Sequence, residues 1–278
     1  MKFALSTNYL NRTLATGEAI AERAMELGFE ELELGFHTTE EQVRGFKARL
    51  DRMPVGSVHA FCPVPLSAPQ GYPELYQLAT ADENARAIAH VHVVRNVEFA
   101  AEMGATAVVL HAGRVPTGGF FGTELTRRMK RGKKLLPVFK RELEALVPVL
   151  ERHRVVLGLE NLPYLEGFPA EGELQELVGD WVRPWLDTGH DFVRRANGWA
   201  LHPAPAPIGL HVNDSLGGDD HLAPGEGKVD FAALGEVARA AKHLVFEPHP
   251  GVDPEALKRG LALLKTLWAM HEKVAIFS

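Results

Sequence analysis

The sequence contains little that could support disulfide formation or insertion into a membrane. It contains one cysteine, Cys62, among 278 residues, which excludes an internal disulfide framework. A single thiol is typical of a reducing compartment, so we expect a cytoplasmic protein. No apolar run approaches the roughly 20 residues of a membrane span. The opening "MKFALSTNYLNR" also lacks the long apolar stretch of a secretory signal. We therefore expect no membrane partner.

Excess positive charge is missing as well. The formal net charge is −6, so the chain has no bulk electrostatic attraction to nucleic acid or anionic lipid. One basic run exists, "RRMKRGKK" at 127–134. We interpret it as the solvated face of a helix, and a phosphate or nucleic-acid contact is the functional alternative.

Eight short apolar runs alternate with longer amphipathic segments along the whole chain, as buried parallel strands alternate with helices. One such segment, "GEAIAERAMELG", stops at Gly28, and another, "DPEALKRGLALLKTLWAMHEK", begins with Asp253 as N-cap. A doubly wound open sheet usually has fewer strands and a glycine-rich phosphate turn, which is absent here. We therefore predict an α/β protein, a single-domain (β/α)8 TIM barrel over residues 1–278. The predicted strands are "KFALST", "ELELGF", "VGSVHAF", "AVVLHAG", "VVLGLEN", "PWLDTG", "IGLHVN" and "HLVFEP".

Functional residues of such a barrel lie at the carboxyl ends of its strands. Six consecutive predicted strands end in a metal-ligand residue type. A lone histidine is usually a core residue, but six such ends facing one space would leave charges unsatisfied without a cation. Histidine with carboxylate and no thiolate suits zinc, manganese, cobalt or iron better than magnesium. The predicted ligands are His59, His111, Glu160, Asp187, His190, His211 and Glu247, with Asp219 and His221 on the loop after the seventh strand.

The ordered series "SVHAF", "VLHAG", "LEN", "DTGH", "LHVNDS", "DDH…GEG" and "FEP" resembles the xylose-isomerase-like barrel superfamily. The superfamily contains sugar and sugar-phosphate isomerases and epimerases, and also endonuclease IV. The match runs from about Ser57 to Glu247. Each motif alone is weak, whereas their order along the chain is specific.

The isomerase branch implies one divalent ion held by Glu160, Asp187, His211 and Glu247. In that branch the two glutamates also move the proton, while the metal polarises the carbonyl. The resemblance implies that His190 and Glu166 bind substrate, and that His59 and His111 become substrate contacts. At Gly217 the chain departs from those epimerases that bind substrate with an arginine there.

The endonuclease branch implies three zinc ions and all nine of the ligands predicted above. Two observations oppose it. The second strand is followed by "GFHTTEEQVRG", where those nucleases tend to carry a Pro-Arg-x-Trp element, and the net charge is negative. The loop "SLGGDDH" is also shorter than the nuclease loop.

We therefore predict a divalent-metal-dependent isomerase or epimerase of a small sugar or sugar phosphate, with Glu160 and Glu247 as acid and base. The alternatives are an abasic-site endonuclease or phosphoesterase, and a metal-binding barrel without turnover. The number of ions, from one to three, stays open, as do a homo-oligomer and metal binding by Asp219 and His221. Asn161 and Asn213 either orient ligands or cap turns.

Overall fold

The computed structural model describes residues 1–200 and 204–269. Eight parallel strands form a closed barrel in chain order, and the last strand pairs with the first, with Ala4 opposite Val245. The predicted (β/α)8 barrel is confirmed. The strands are β1 Ala4–Ser6, β2 Glu31–Leu34, β3 Val55–His59, β4 Ala107–Leu110, β5 Val156–Glu160, β6 Val182–Asp187, β7 Gly209–Val212 and β8 His243–Phe246.

A helix follows each strand, and side-chain caps begin several of them. Thr39 forms a capping box with Gln42 at the start of the second helix, and Asp82 caps the third. The predicted stop at Gly28 is confirmed, because that glycine has a φ of 91°. The helices are α1 Gly17–Glu26, α2 Glu40–Lys47, α3 Glu83–Glu102, α4 Glu124–His153, α5 Glu171–Leu174, α6 Thr188–Ala196, α7 Gly235–Ala240 and α8 Pro254–Ala269. Residues 270–273 of the last predicted helix lie outside the described residues.

Trp185 fills the inside of the barrel below its carboxyl-terminal mouth. It forms a buried apolar cluster with Ala4, Ala107, Val109 and Val245. Strands β5 and β7 leave room for it with glycine: a Cβ on Gly158 would lie 2.8 Å from the indole ring. The ring of Trp185 lies 5.3 Å from that of His211, so the indole packs against one of the polar side chains at the mouth.

A short antiparallel ladder, which the strand pattern does not predict, lies above the mouth. It pairs Gly113–Arg114 with Gly167–Phe168 and so ties the loop after β4 to the loop after β5. Within 1–200 and 204–269, every helix is too short or too polar to span a membrane.

Candidate metal centre and substrate cavity

The carboxyl ends of the strands surround a cavity of about 540 Å³ at the barrel mouth. Its floor carries predicted ligands, and its walls come from loops after β1, β2, β3, β4 and β5. The lining residues that define the site are His59, Glu74, His111, Arg114, Glu160, Tyr164, His190, Asp219, His221 and Glu247.

Glu160 lies at the centre of the floor and is 1% exposed. Its Oε2 lies 3.2 Å from His59 Nε2 and 3.1 Å from His111 Nε2. Its Oε1 lies 3.2 Å from His211 Nδ1, which is also 3.1 Å from Glu247 Oε2. One carboxylate therefore contacts the ends of strands β3, β4 and β7, and His211 extends the group to Glu247 after β8.

These atoms are close together without satisfying one another. Both oxygens of Glu160 and Nδ1 of His211 are buried and make no hydrogen bond within the described residues. Buried polar atoms without partners are costly, and a shared cation at their point of convergence would satisfy all of them. This geometry fits a divalent metal ion.

Three overlapping groups of side chains could each hold an ion, since their ligand atoms lie within 4.8 Å of one another. One group contains the four ligands implied by the isomerase branch. The other two bring in His59, His190 and His221, so the structure assembles much of the larger ligand set as well. The groups are Glu160, Asp187, His211 and Glu247; His59, Glu160 and His211; and Asp187, His190 and His221.

Each of four histidines is anchored through one ring nitrogen, which frees the other for the centre. His59 Nδ1 donates to the carbonyl of Ala60 at 2.9 Å, and His190 Nδ1 donates to that of Asn161 at 2.8 Å. His221 Nδ1 donates to the Glu247 carbonyl at 2.8 Å. A carbonyl can only accept, so these three rings expose a lone pair on Nε2 when neutral. The fourth, His211, is anchored by a side-chain carboxylate instead.

Charge couples the same groups strongly. Burial opposes ionisation of Glu160, yet the neighbouring His211 and His111 hold the pKa of its carboxyl well below the usual range. Burial would lower the pKa of His221, but Asp219 and other carboxylates raise it to about 10. Each of these shifts is caused by the opposite charge beside the group, and a bound cation would compete with protons for the same nitrogen atoms.

Asp219 and His221 belong to the loop from Asp214 to Val229, which folds back over the mouth. Asp219 Oδ1 lies 3.1 Å from His190 Nε2 and 3.0 Å from His221 Nε2. The free nitrogens of these two histidines thus meet at one carboxylate. The loop brings both predicted residues to the cavity.

The two asparagines beside predicted ligands orient Asp187. Asn161 Oδ1 accepts from the Asp187 amide at 2.7 Å, and Asn213 Nδ2 donates to Asp187 Oδ2 at 2.5 Å. Of the two interpretations of these residues, the contacts favour support of a ligand over turn capping.

Glu166 is not brought together with the other predicted residues. Its side chain accepts from the Thr117 hydroxyl at 2.8 Å, and its carbonyl accepts from the Val115 amide. Both contacts tie it to the loop after β4, and it is not among the residues that line the cavity. The short ladder turns this position away from the floor.

The cavity also contains a cluster that sequence patterns missed. Arg114 Nε donates to Glu74 Oε2 at 2.6 Å, and its guanidinium carbon lies 3.8 Å from the centre of the Tyr164 ring. The Tyr164 hydroxyl donates to Glu74 Oε1. These residues come from three loops of irregular course, so neither period nor motif could have placed them together. Glu33, buried in β2, was missed as well.

The basic run 127–134 lies on α4, and its three arginines contact other parts of the protein. Arg128 is 3% exposed and donates to Glu173 Oε2 at 2.8 Å. Arg131 donates to the Pro116 carbonyl at 2.6 Å, and Arg127 donates to the carbonyls of Thr117 and Gly122. The lysines of this run are exposed, as expected for a solvated helix face, whereas its arginines make contacts within the protein.

Comparison with known proteins identifies the family. A model described as a xylose isomerase-like TIM barrel matches residues 21–267, so the chain belongs to that family. No curated protein matches the chain. Among solved structures, a D-tagatose 3-epimerase-like protein is 22% identical over 99% of this chain and 100% of its own, with a TM-score of 0.73.

Two further solved structures share the fold. A 3-keto-D-glucoside 4-epimerase from E. coli is 21% identical over 96% of this chain and 99% of its own, with a TM-score of 0.68. A Thermus thermophilus protein soaked with ZnCl2 is 23% identical over 97% of this chain and 98% of its own, with a TM-score of 0.62. At these identities the likeness shows the fold, and the chemistry has to be argued from the site.

Proposed function

We propose that this member of the xylose isomerase-like TIM barrel family is a divalent-metal-dependent isomerase or epimerase of a small sugar or sugar phosphate. The observation that carries the proposal is the buried group of Glu160, Asp187, His211 and Glu247 at the carboxyl ends of four consecutive strands. Its unpartnered atoms point to one ion, and its two glutamates supply an acid and a base beside that ion. Zinc, manganese or cobalt suits the donor set.

The four residues would hold the ion, which when bound would polarise a substrate carbonyl and stabilise an ene-diolate. Glu160 Oε1 and Glu247 Oε2 lie 3.2 and 3.1 Å from the same nitrogen of His211, so both carboxylates border one small volume. A substrate carbon placed between them exposes one face to each. One carboxylate removes the proton next to the carbonyl, and the other returns a proton to the opposite face or to the neighbouring carbon.

The remaining floor residues suit substrate contact. His190 Nε2 and His221 Nε2 face the cavity beside Asp219, and His59 and His111 lie on the other side of Glu160. Imidazole nitrogens that are fixed by backbone carbonyls offer directed hydrogen bonds to hydroxyl groups. The similar structures support the substrate class, since two of them are named as a sugar epimerase or as epimerase-like.

The test is proton exchange with solvent. Metal-loaded protein is incubated in deuterated water with a panel of ketoses, aldoses and their phosphates, and deuterium on carbon is read by mass spectrometry and NMR. We expect exchange with at least one sugar and its loss in Glu160→Gln and Glu247→Gln. Glu142→Gln on α4 is the matched control and keeps the activity. No exchange with any sugar would overturn the proposal.

A second candidate, a three-zinc phosphodiesterase such as an abasic-site endonuclease, is favoured by one observation: three ion-holding groups adjoin one another at the mouth. Arg128 and Arg131 of α4 oppose it, because they bind Glu173 and a backbone carbonyl of the protein itself. The discriminating assay is cleavage of a duplex containing one abasic-site analogue by zinc-loaded protein. Cleavage that Glu160→Gln abolishes would replace the isomerase proposal.

The wider setting follows from this function. The partner is a small sugar, with no nucleic acid and no membrane surface required. A cytoplasmic location and a homo-oligomer stay predictions, which fractionation and light scattering would test.

A further inference from the structure

Glu33 is a buried carboxylate inside the barrel that the proposed chemistry leaves unassigned. It lies on β2 opposite Ser57 of β3 and is 0% exposed. Its Oε2 accepts from the Ser57 hydroxyl at 2.8 Å. Its other hydrogen-bond partner is His211, whose Nε2 lies 3.0 Å from Oε1 and 3.2 Å from Oε2. Within the described residues Glu33 pairs with no arginine or lysine, and a carboxylate buried in this way is costly, which points to a role for its pair with His211.

Both ring nitrogens of His211 lie close to carboxylates. Nε2 faces Glu33, while Nδ1 faces Glu160 and Glu247 in the proposed metal centre. A carboxylate only accepts, so Nε2 carries the proton of that bond. In the neutral ring the lone pair is then on Nδ1, which is buried and has no hydrogen-bond partner within the described residues.

We propose that Glu33 is a positioning residue that fixes the tautomer and orientation of His211 for metal binding through Nδ1. The inference rests on the proposed metal-dependent function and deepens it. His59, His190 and His221 are anchored by neutral carbonyls, whereas His211 is anchored by a carboxylate. A carboxylate partner raises the basicity of the imidazole and strengthens its bond to a metal. His211 would therefore be the strongest imidazole ligand of the set.

The geometry leaves His211 little freedom to turn. Its ring is 0% exposed, stacks on the His59 ring at 5.5 Å and meets the Trp185 ring at 5.3 Å. Packing thus holds the ring plane, but packing cannot choose which nitrogen carries the proton. Glu33 makes that choice, because its carboxylate accepts a hydrogen bond from Nε2, whereas Nδ1 makes no hydrogen bond within the described residues although Glu160 and Glu247 lie close to it.

The full chain is freed of metal with a chelator and then refilled with zinc or cobalt. Its affinity for each metal is measured by competition with a chromophoric chelator. Loss of such a carboxylate partner typically costs about 10–100-fold in metal affinity. We expect a loss in that range for Glu33→Ala. A smaller loss of about tenfold is expected for Glu33→Gln, whose amide oxygen still accepts from Nε2. The ligand-field spectrum of bound cobalt should also shift in both variants, which a change in stability alone would not produce.

Glu171→Gln is the matched control. Glu171 is 4% exposed and pairs with Arg194 at 2.6 Å, away from the cavity floor. It should lower the unfolding temperature without weakening metal binding. Glu33→Gln preserves side-chain shape and keeps the test usable if Glu33→Ala does not fold.

The outcomes separate the two levels of the argument. If the wild type binds metal and the Glu33 variants bind it with affinities within about threefold of the wild type, this inference is overturned and the proposed function stands. An equal loss in Glu171→Gln would overturn it too, because the effect would then be one of stability. A wild-type chain that takes up no metal would overturn the proposed function and this inference together.

Discussion

The loop that carries Asp219 and His221 should depend on one buried carboxylate, Asp214. Asp214 is 1% exposed, and its Oδ2 accepts from the amides of Gly225 at 2.9 Å and Gly227 at 2.8 Å. Its Oδ1 accepts from the amides of Val229 and Ser215, both at 2.9 Å. Four backbone donors thus converge on one side chain and close the loop.

The change Asp214→Asn replaces one acceptor oxygen by a donor while keeping the shape. Whichever way the amide turns, two of the four bonds are lost and two buried N–H groups face an NH2 group. Hydrogen bonds to charged groups contribute about 1.5–3 kcal/mol each, so the loss is about 3–6 kcal/mol. Loosening of the loop should also weaken metal or ligand contacts at His221.

The assay is urea unfolding together with amide hydrogen exchange at 225, 227 and 229. Asp220→Asn is the matched control, because its Oδ2 also accepts from backbone amides, at 2.8 and 3.1 Å, but is only partly buried. Water can replace those bonds, so the control should lose less than about 1 kcal/mol. The reasoning is refuted if Asp214→Asn costs no more than the control.

Three other perturbations have defined outcomes. Burial, with Lys242 nearby, lowers the pKa of His243 from 6.5 to about 4. As the pH falls from 6.5 to 4, the unfolded chain therefore binds this proton before the folded chain does, and the free energy of unfolding decreases. When the pH is lowered from 7 to 5, the free energy of unfolding of the wild type should fall by about 2 kcal/mol more than that of His243→Gln, as measured by denaturant unfolding. Equal losses in the two proteins would contradict this. In Gly209→Ala the new Cβ would lie 2.5 Å from Trp185 Cη2, so the free energy of unfolding should fall by about 1–3 kcal/mol. Gly179→Ala, whose new Cβ would meet open space, should leave the free energy of unfolding almost unchanged. Chelation of metal-loaded protein should lower its melting temperature, since an ion present at about 1,000 times its dissociation constant contributes about 4 kcal/mol; an unchanged temperature would argue against a bound ion.

The barrel could be predicted from the sequence because strands buried on both faces leave a distinctive pattern. "AVVLHAG" and "IGLHVN" are apolar until the residue that reaches the mouth, so strand and functional end are visible together. Once the barrel is assumed, the carboxyl ends of its strands must converge. This is why the structure brings Glu160, His211 and Glu247 together as expected.

Glu33 could not be found in the same way. "ELELGF" alternates charged and apolar residues, which is also the pattern of a strand with one solvated face. In the closed barrel Leu32 belongs to the main hydrophobic core, and Glu33 contacts Ser57 and His211 inside the barrel. Only closure of the barrel reveals that this face is buried.

The walls of the cavity were the least predictable part. Glu74 lies in the stretch between β3 and α3, where the described residues form no regular strand or helix. Its contacts with Arg114 and Tyr164 depend on the course of three loops. The same limit explains Glu166, since spacing from Glu160 says nothing about the ladder that turns the chain away.

The central claim is that the side chains at the barrel mouth form a metal centre organised around Glu160. The most direct measurement is elemental analysis of metal per chain, on protein purified without chelators and again after incubation with zinc, manganese or cobalt. We predict one to three tightly held divalent ions per chain, with about one favouring the isomerase and about three the phosphodiesterase. Glu160→Ala should lose them while remaining folded. No bound ion in the wild type, or the same metal content in Glu160→Ala, would contradict the account.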